Sequence, residues 1–246
     1  MVEPGFEKQA FKQLKIWQAQ MLEKPGLFNG MAKRLQTRIN NIIPQKVHEA
    51  ITTVIKQMVR GVLFGAEFTS AAAIIDKPLE EREAIADNKI DFYRKTAAVE
   101  GGITGAGGLL LGLADFPILM SIKLKLLFEL AGTYGHEVTN YKERLYILYI
   151  FQLAFCSDEQ RKSCYLRMQD WDSVAKTLPA DINDFDWRTF QQEYRDYIDL
   201  AKMAQLIPVI GAPVGVIVNN RLLRKLGKTA KMAYRMRYFE QQKSLP

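Results

Sequence analysis

The chain has little metal-binding or disulfide chemistry to offer. Its 246 residues include two cysteines, Cys156 and Cys164, and two histidines, His48 and His136. That is too few for a four-ligand zinc pattern, and no His-x-x-x-His or Glu-x-x-His spacing occurs. On one continuous helix the two cysteines would stand about 12 Å apart, beyond disulfide reach. Cysteine usage therefore reads as packed thiols in a reducing compartment, and neither a metal nor a cofactor is expected. A long uninterrupted apolar run is also missing. The amino-terminal stretch, MVEPGFEKQAFKQLKIWQ, carries charges throughout and lacks the apolar core of a secretory signal, so the expected location is cytoplasmic.

Charge of one sign is scarce except in one place. The net charge is +7. Residues 221–246 hold eight Lys/Arg and one acid, Glu240, so this segment carries the whole surplus and the rest is balanced. A concentrated charge points to a local electrostatic contact. Arg221, Arg224, Lys228, Lys231 and Arg235 recur at three- and four-residue steps, and Lys225 joins them, a basic face suited to an anionic membrane surface.

Helical periodicity dominates the rest. Phe6, Ala10, Leu14, Trp17 and Met21 mark one face over 5–23, and Pro25-Gly26 ends it. A short basic helix is expected over 31–43 and a long one over 45–75. Gly61 and Gly65 lie on the apolar face of the latter, where they permit close packing. After Asp76-Lys77-Pro78, residues 79–98 form a charged helix, with acids first and Arg94 and Lys95 at its end, the order the helix dipole favours. Residues 139–156 and 188–205 are further helices, the first central to the core. Short helices and loops fill 157–187.

Two apolar stretches interrupt this pattern. The first, Glu100 to Pro117, holds six glycines between Glu100 and Asp115. It follows a helix and lacks Gly-Lys-Ser/Thr, which argues against a phosphate-binding loop. Its unbroken part, 103–114, is too short to span a bilayer. A tight helical hairpin is the expected form, with Asp115 capping a second arm that starts at Phe116-Pro117. On that arm Lys123 and Lys125 are expected outside, and Tyr134-Gly135-His136 closes it. The second stretch, Leu206 to Asn219, repeats the logic with Pro208, Gly211, Pro213 and Gly215, before Asn219-Asn220 opens the basic helix.

The phrases EGGITGAGGLLLGLADFPIL, LLFELAGTYG, YKERLYIL and AQLIPVIGAPVGVIVNNRLLRKLGKTAKMAYRMRY resemble the EcsC protein family. The likeness covers Ile90 to Tyr238, and the amino-terminal helices over 1–43 resemble those of Bacteroidetes-type members. Pro213 and Asn220 stand where the family pattern leads one to expect an aliphatic and an aromatic residue. The resemblance implies a bacterial protein and a helical fold without an agreed activity. It also implies membrane association and a possible link to an ABC-type transporter, beside which the family's namesake is encoded. It supplies no catalytic residues.

Together these readings give an all-α fold, a single domain over 1–246, with a helical bundle around two Gly/Pro-interrupted apolar hairpins. The expected function is non-enzymatic and membrane-peripheral, at the inner face of the cell membrane, through Arg221, Arg224, Lys225, Lys228, Lys231 and Arg235. The alternative is an enzyme or small-ligand-binding bundle using buried polar groups near the glycines: Glu100, Asp115, Glu143, Arg144, Asn219 and Arg221. In that case paired carboxylates would supply acid–base chemistry. Specific nucleic-acid binding is not expected, because few aromatic residues accompany the basic segment.

Overall fold

The computed structural model describes residues 4–24, 45–64, 73–104, 108–198 and 211–243. All regular elements among them are helical: α1 (Pro4–Leu22), α2 (Gln45–Phe64), α3 (Leu79–Thr104), α4 (Gly108–Thr133), α5 (Tyr141–Phe155), α6 (Arg161–Leu166), α7 (Trp171–Thr177), a single 3-10 turn (Ile182–Asp184), α8 (Trp187–Tyr197) and α9 (Gly211–Lys243). The expected helix over 31–43, Gly65 and residues 199–210 lie outside the described residues.

The frame is a trio in which α3 runs antiparallel to both α4 and α9, and its packing on those two helices is the most extensive in the fold; α4 and α9 run parallel to each other. The α3–α9 register is set by cross-helix pairs: Arg94 with Asn220, Asp87 with Lys231, and Glu83 with Arg235. The axes approach closely at Gly227, where an added Cβ would stand 2.7 Å from the Ile90 side chain. Helix α5 is buried along most of its length, from Leu145 to Phe155, as its apolar run dictates. Asn140 caps it by accepting a hydrogen bond from the Lys142 amide. Helix α1 buries Ala10, Leu14 and Trp17 and packs on α9 and α6.

Five helix boundaries differ from expectation; one is the helix expected over 188–205, which stops at Tyr197, with Ile198 paired instead to Cys156 in an isolated bridge. The chain at 73–78 is already non-helical, so the helix expected over 45–75 ends earlier. Helix α3 runs on to Thr104, which leaves Arg94 and Lys95 in mid-helix. Helix α4 begins at Gly108 and carries Pro117 inside it. Asp115 is therefore an interior helical residue rather than an N-cap. Proline loses one backbone hydrogen bond there, while Phe116, Leu119 and Met120 bury beside it and hold the helix together. Finally, the apolar segment after Gly211 and the basic segment after Asn219 form one continuous helix of 33 residues.

The end of α4 follows the sequence closely. Gly135 has φ +90, the left-handed region that favours glycine. The Gly135 amide donates to Gly132 O and the His136 amide to Ala131 O, the paired pattern of a Schellman C-cap. Arg82 locks this corner by donating to the carbonyls of Lys77, Ile75 and Tyr134.

Candidate functional site

Because α3 runs antiparallel to the parallel pair α4 and α9, its C-terminal end meets their N-terminal ends, and all three ends are apolar in sequence. Residues 98–104 of α3, 108–115 of α4 and 211–218 of α9 lie at one end of the bundle, as the neighbouring pairs Arg94–Asn220 and Lys123–Asn219 require. The two Gly-rich stretches, about a hundred residues apart in sequence, thus share one tip. Within these three described segments the charged residues are Glu100 and Asp115; both are placed on helices, and their side chains lie outside the described residues. Eight residues of helix extend about 12 Å, close to the roughly 15 Å hydrocarbon depth of one leaflet. Among the described residues no helix is long and apolar enough to cross a membrane.

A polar belt closes the base of the tip. Lys123, expected outside, is fully buried. Its Nζ donates to Leu119 O at 3.1 Å and to Asn219 Oδ1 at 3.3 Å. No carboxylate among the described residues pairs with it, and burial lowers its pKa to about 7. On the other side of α9, Arg94 donates to Asn220 Oδ1 at 2.6 Å and pairs with Asp91. The adjacent asparagines therefore join α9 to α4 and to α3. The sequence signal for Lys123 was available: it sits in the buried register of Phe116, Leu119, Met120 and Leu127, three or four residues apart.

Below the belt, the basic face divides. Arg221, Arg224, Lys225 and Lys228 are exposed, at spacings that place them on one side of α9. Lys231 and Arg235 leave the expected membrane-facing set. Arg235 is 5% exposed and makes a two-pronged ion pair with Glu83. Lys231 reaches Glu83 at 2.9 Å and Asp87 at 2.6 Å. The cause is α1, which covers this half of the face: Gln13 accepts from Arg235 at 2.8 Å, and Glu7 accepts from Tyr238 at 2.7 Å. Burial pushes the Glu83 carboxyl up, but Arg235 and Lys231 overcome it and hold it below its ordinary range.

The other predicted ligand residues do not converge. Glu143 accepts two hydrogen bonds from Arg237, at 2.6 and 2.9 Å. Arg237 also reaches Asp172 at 2.7 Å and lies over the Tyr146 ring. His136 stands 3.9 Å from Glu143, and burial, with Arg237 adding to it, pushes its pKa down to about 3, so the imidazole is neutral at physiological pH. Arg144 donates to Val138 O at 2.6 Å and to Leu63 O at 3.1 Å, which caps the end of α2. Asn219 holds Lys123, and Arg221 faces outward. These are three separate structural networks. Among the described residues no group of three His, Cys, Asp or Glu side chains could hold a metal ion.

The chain is 42% identical to Protein EcsC of Bacillus subtilis (strain 168) over 231 residues, which is 92% of this chain and 93% of that protein. It is 30% identical to protein YdbA of the same organism over 172 residues, covering 69% of this chain and 62% of that protein. No solved structure matches. The profile of the EcsC protein family matches residues 8–239, which extends the likeness well before Ile90 and takes in α1. The chain belongs to the EcsC protein family.

Proposed function

We propose that this EcsC-family protein is a non-enzymatic, membrane-peripheral helical protein whose apolar tip dips into an anionic lipid surface at the inner face of the cell membrane. The supporting observation is the convergence of three apolar helix ends above four exposed cations, Arg221, Arg224, Lys225 and Lys228. A tip about 12 Å deep fits interfacial burial, which reaches about 5–10 Å, better than spanning. Each cation near an anionic surface contributes about 1 kcal/mol. An ABC-type transporter as partner belongs to the same proposal and draws on family resemblance alone. The reading as an acid–base site has less support, since Glu143, Arg144 and Asn219 are each engaged in separate structural contacts.

Co-sedimentation with phosphatidylglycerol-containing vesicles tests the proposal. Binding is expected at low salt, weaker at 0.5 M salt, and absent with vesicles of neutral lipid. Equal sedimentation with and without anionic lipid would remove it.

A further inference from the structure

We propose that the cleft between α1 and α9 binds one anionic phospholipid, with its phosphate on Lys228 and part of an acyl chain against Ile16, Trp17 and Met232. The proposal rests on the membrane reading for its class of ligand. The cleft follows from how α1 docks. Near its start α1 leans on α9: Phe11 meets the Phe239 ring edge-to-face, Glu7 accepts from Tyr238, and Gln13 accepts from Arg235. One turn later Trp17 packs edge-to-face on Tyr165 of α6 instead. There a cavity of about 310 Å³ opens between α1 and α9, lined by Gln13, Ile16, Trp17, Gln20, Lys228 and Met232.

The lining is that of a site for a negatively charged amphiphile. Its floor is apolar: Trp17 and Met232 are buried, and Ile16 beside them is 53% exposed, so apolar surface remains for a ligand to cover. Its mouth is cationic. No carboxylate among the described residues pairs with Lys228, and Lys228 ends the row of exposed cations that begins at Arg221. The proposed membrane face therefore continues into the cleft. Its rim holds neutral donors. Gln13 commits its carbonyl oxygen to Arg235, which leaves the amide NH2 for an ester or hydroxyl oxygen. Size selects as well. The volume lies at the small end of ligand pockets, about 300–1,000 Å³, and the apolar floor is bounded by Gln13 and Gln20. A short stretch of hydrocarbon fits it better than a partner helix, whose apolar anchors repeat at i, i+3, i+4 and i+7.

The test titrates the full chain with dihexanoylphosphatidylglycerol below its micelle concentration, read by calorimetry. No bilayer is present, so this titration decides the cleft, while vesicle co-sedimentation decides the membrane reading. Saturable binding of one lipid per chain is expected. Glycerol phosphate, which lacks the chains, should give none, and dihexanoylphosphatidylcholine should bind about fivefold more weakly. Ile16→Glu and Lys228→Glu, both at exposed positions, should each weaken binding about tenfold with the urea midpoint unchanged. Absence of saturable binding would overturn the proposal. So would unchanged binding in both variants, equal binding of the phosphatidylcholine, or glycerol phosphate binding as tightly as the lipid. Self-association that Ile16→Glu abolishes would assign the cleft to a second copy of the chain and overturn it too.

Discussion

Lys123 shows how strongly one side chain can depend on its surroundings. Its ammonium has only neutral oxygens as described partners, so burial disfavours the charged form. The folded pKa of about 7 lies below the ordinary value near 10.4, so folding releases a proton between those values. Stability should therefore rise with pH across that window, by up to about 1.4 kcal/mol per unit, and be flat below pH 7. Urea unfolding at pH 7 and pH 9 should show this slope for the wild type and not for Lys123→Met. An identical slope in both would refute the assignment. Glu83 makes the opposite case: its charge is fully compensated. Glu83→Gln should cost about 3–5 kcal/mol by leaving Arg235 and Lys231 without their partner. The double change Glu83→Gln/Arg235→Met should recover part of that loss, measured by the same unfolding. Because the folded Glu83 pKa is depressed, its contribution is present above the ordinary carboxylate range and disappears as pH falls through the lowered value.

Among the elements, α9 is decisive. It runs 33 residues, about 50 Å, and joins what the sequence presents as an apolar arm and a basic helix. Helical spacing correctly gave the face of α1, where Ala10, Leu14 and Trp17 are buried, and the apolar run of α5 gave its central place in the core. The turn chemistry of Gly135 was legible for the same local reason. The position of the α4 start was not. Asp115-Phe116-Pro117 has the local signature of a helix start, and tertiary burial of Phe116, Leu119 and Met120 outweighs it. Gly227 provides the test at this scale. Gly227→Leu should push α9 from α3 and cost about 1–3 kcal/mol. Adding Ile90→Ala should restore part of that stability, since the clash is with Ile90 itself. Strict additivity of the two changes in thermal or urea unfolding would argue against a direct contact.

For the whole molecule, the question is where the surplus charge goes. The +7 is confined to the last 26 residues, yet Lys231, Arg235 and Arg237 spend theirs inside the bundle on Glu83, Asp87, Glu143 and Asp172. The exposed cations of α9, Arg221, Arg224, Lys225 and Lys228, lie toward the apolar tip, where the proposed membrane contact would use them. Replacing Arg221, Arg224, Lys225 and Lys228 together by alanine should remove about 4 kcal/mol of attraction, roughly a thousandfold in vesicle affinity, with little change in unfolding. Washing a membrane pellet separates the two components of the contact. Release by high salt would mean the basic face holds the protein, whereas resistance to both salt and carbonate would mean the tip is inserted. A protein found wholly outside the pellet would end the membrane reading.

The amino-acid sequence by itself determined the helical class, the buried face of α1, the two apolar segments and the place of the excess charge. Each follows from local periodicity and composition, which need no knowledge of neighbours. Only the tertiary structure decided that the two apolar segments share one tip, that Lys123 is inside, and that Arg235 and Arg237 are neutralised. Those outcomes depend on which element covers which face. A helix's period says that a face is buried, but the partner that buries it, and the charge that partner brings, comes from residues tens or hundreds of positions away.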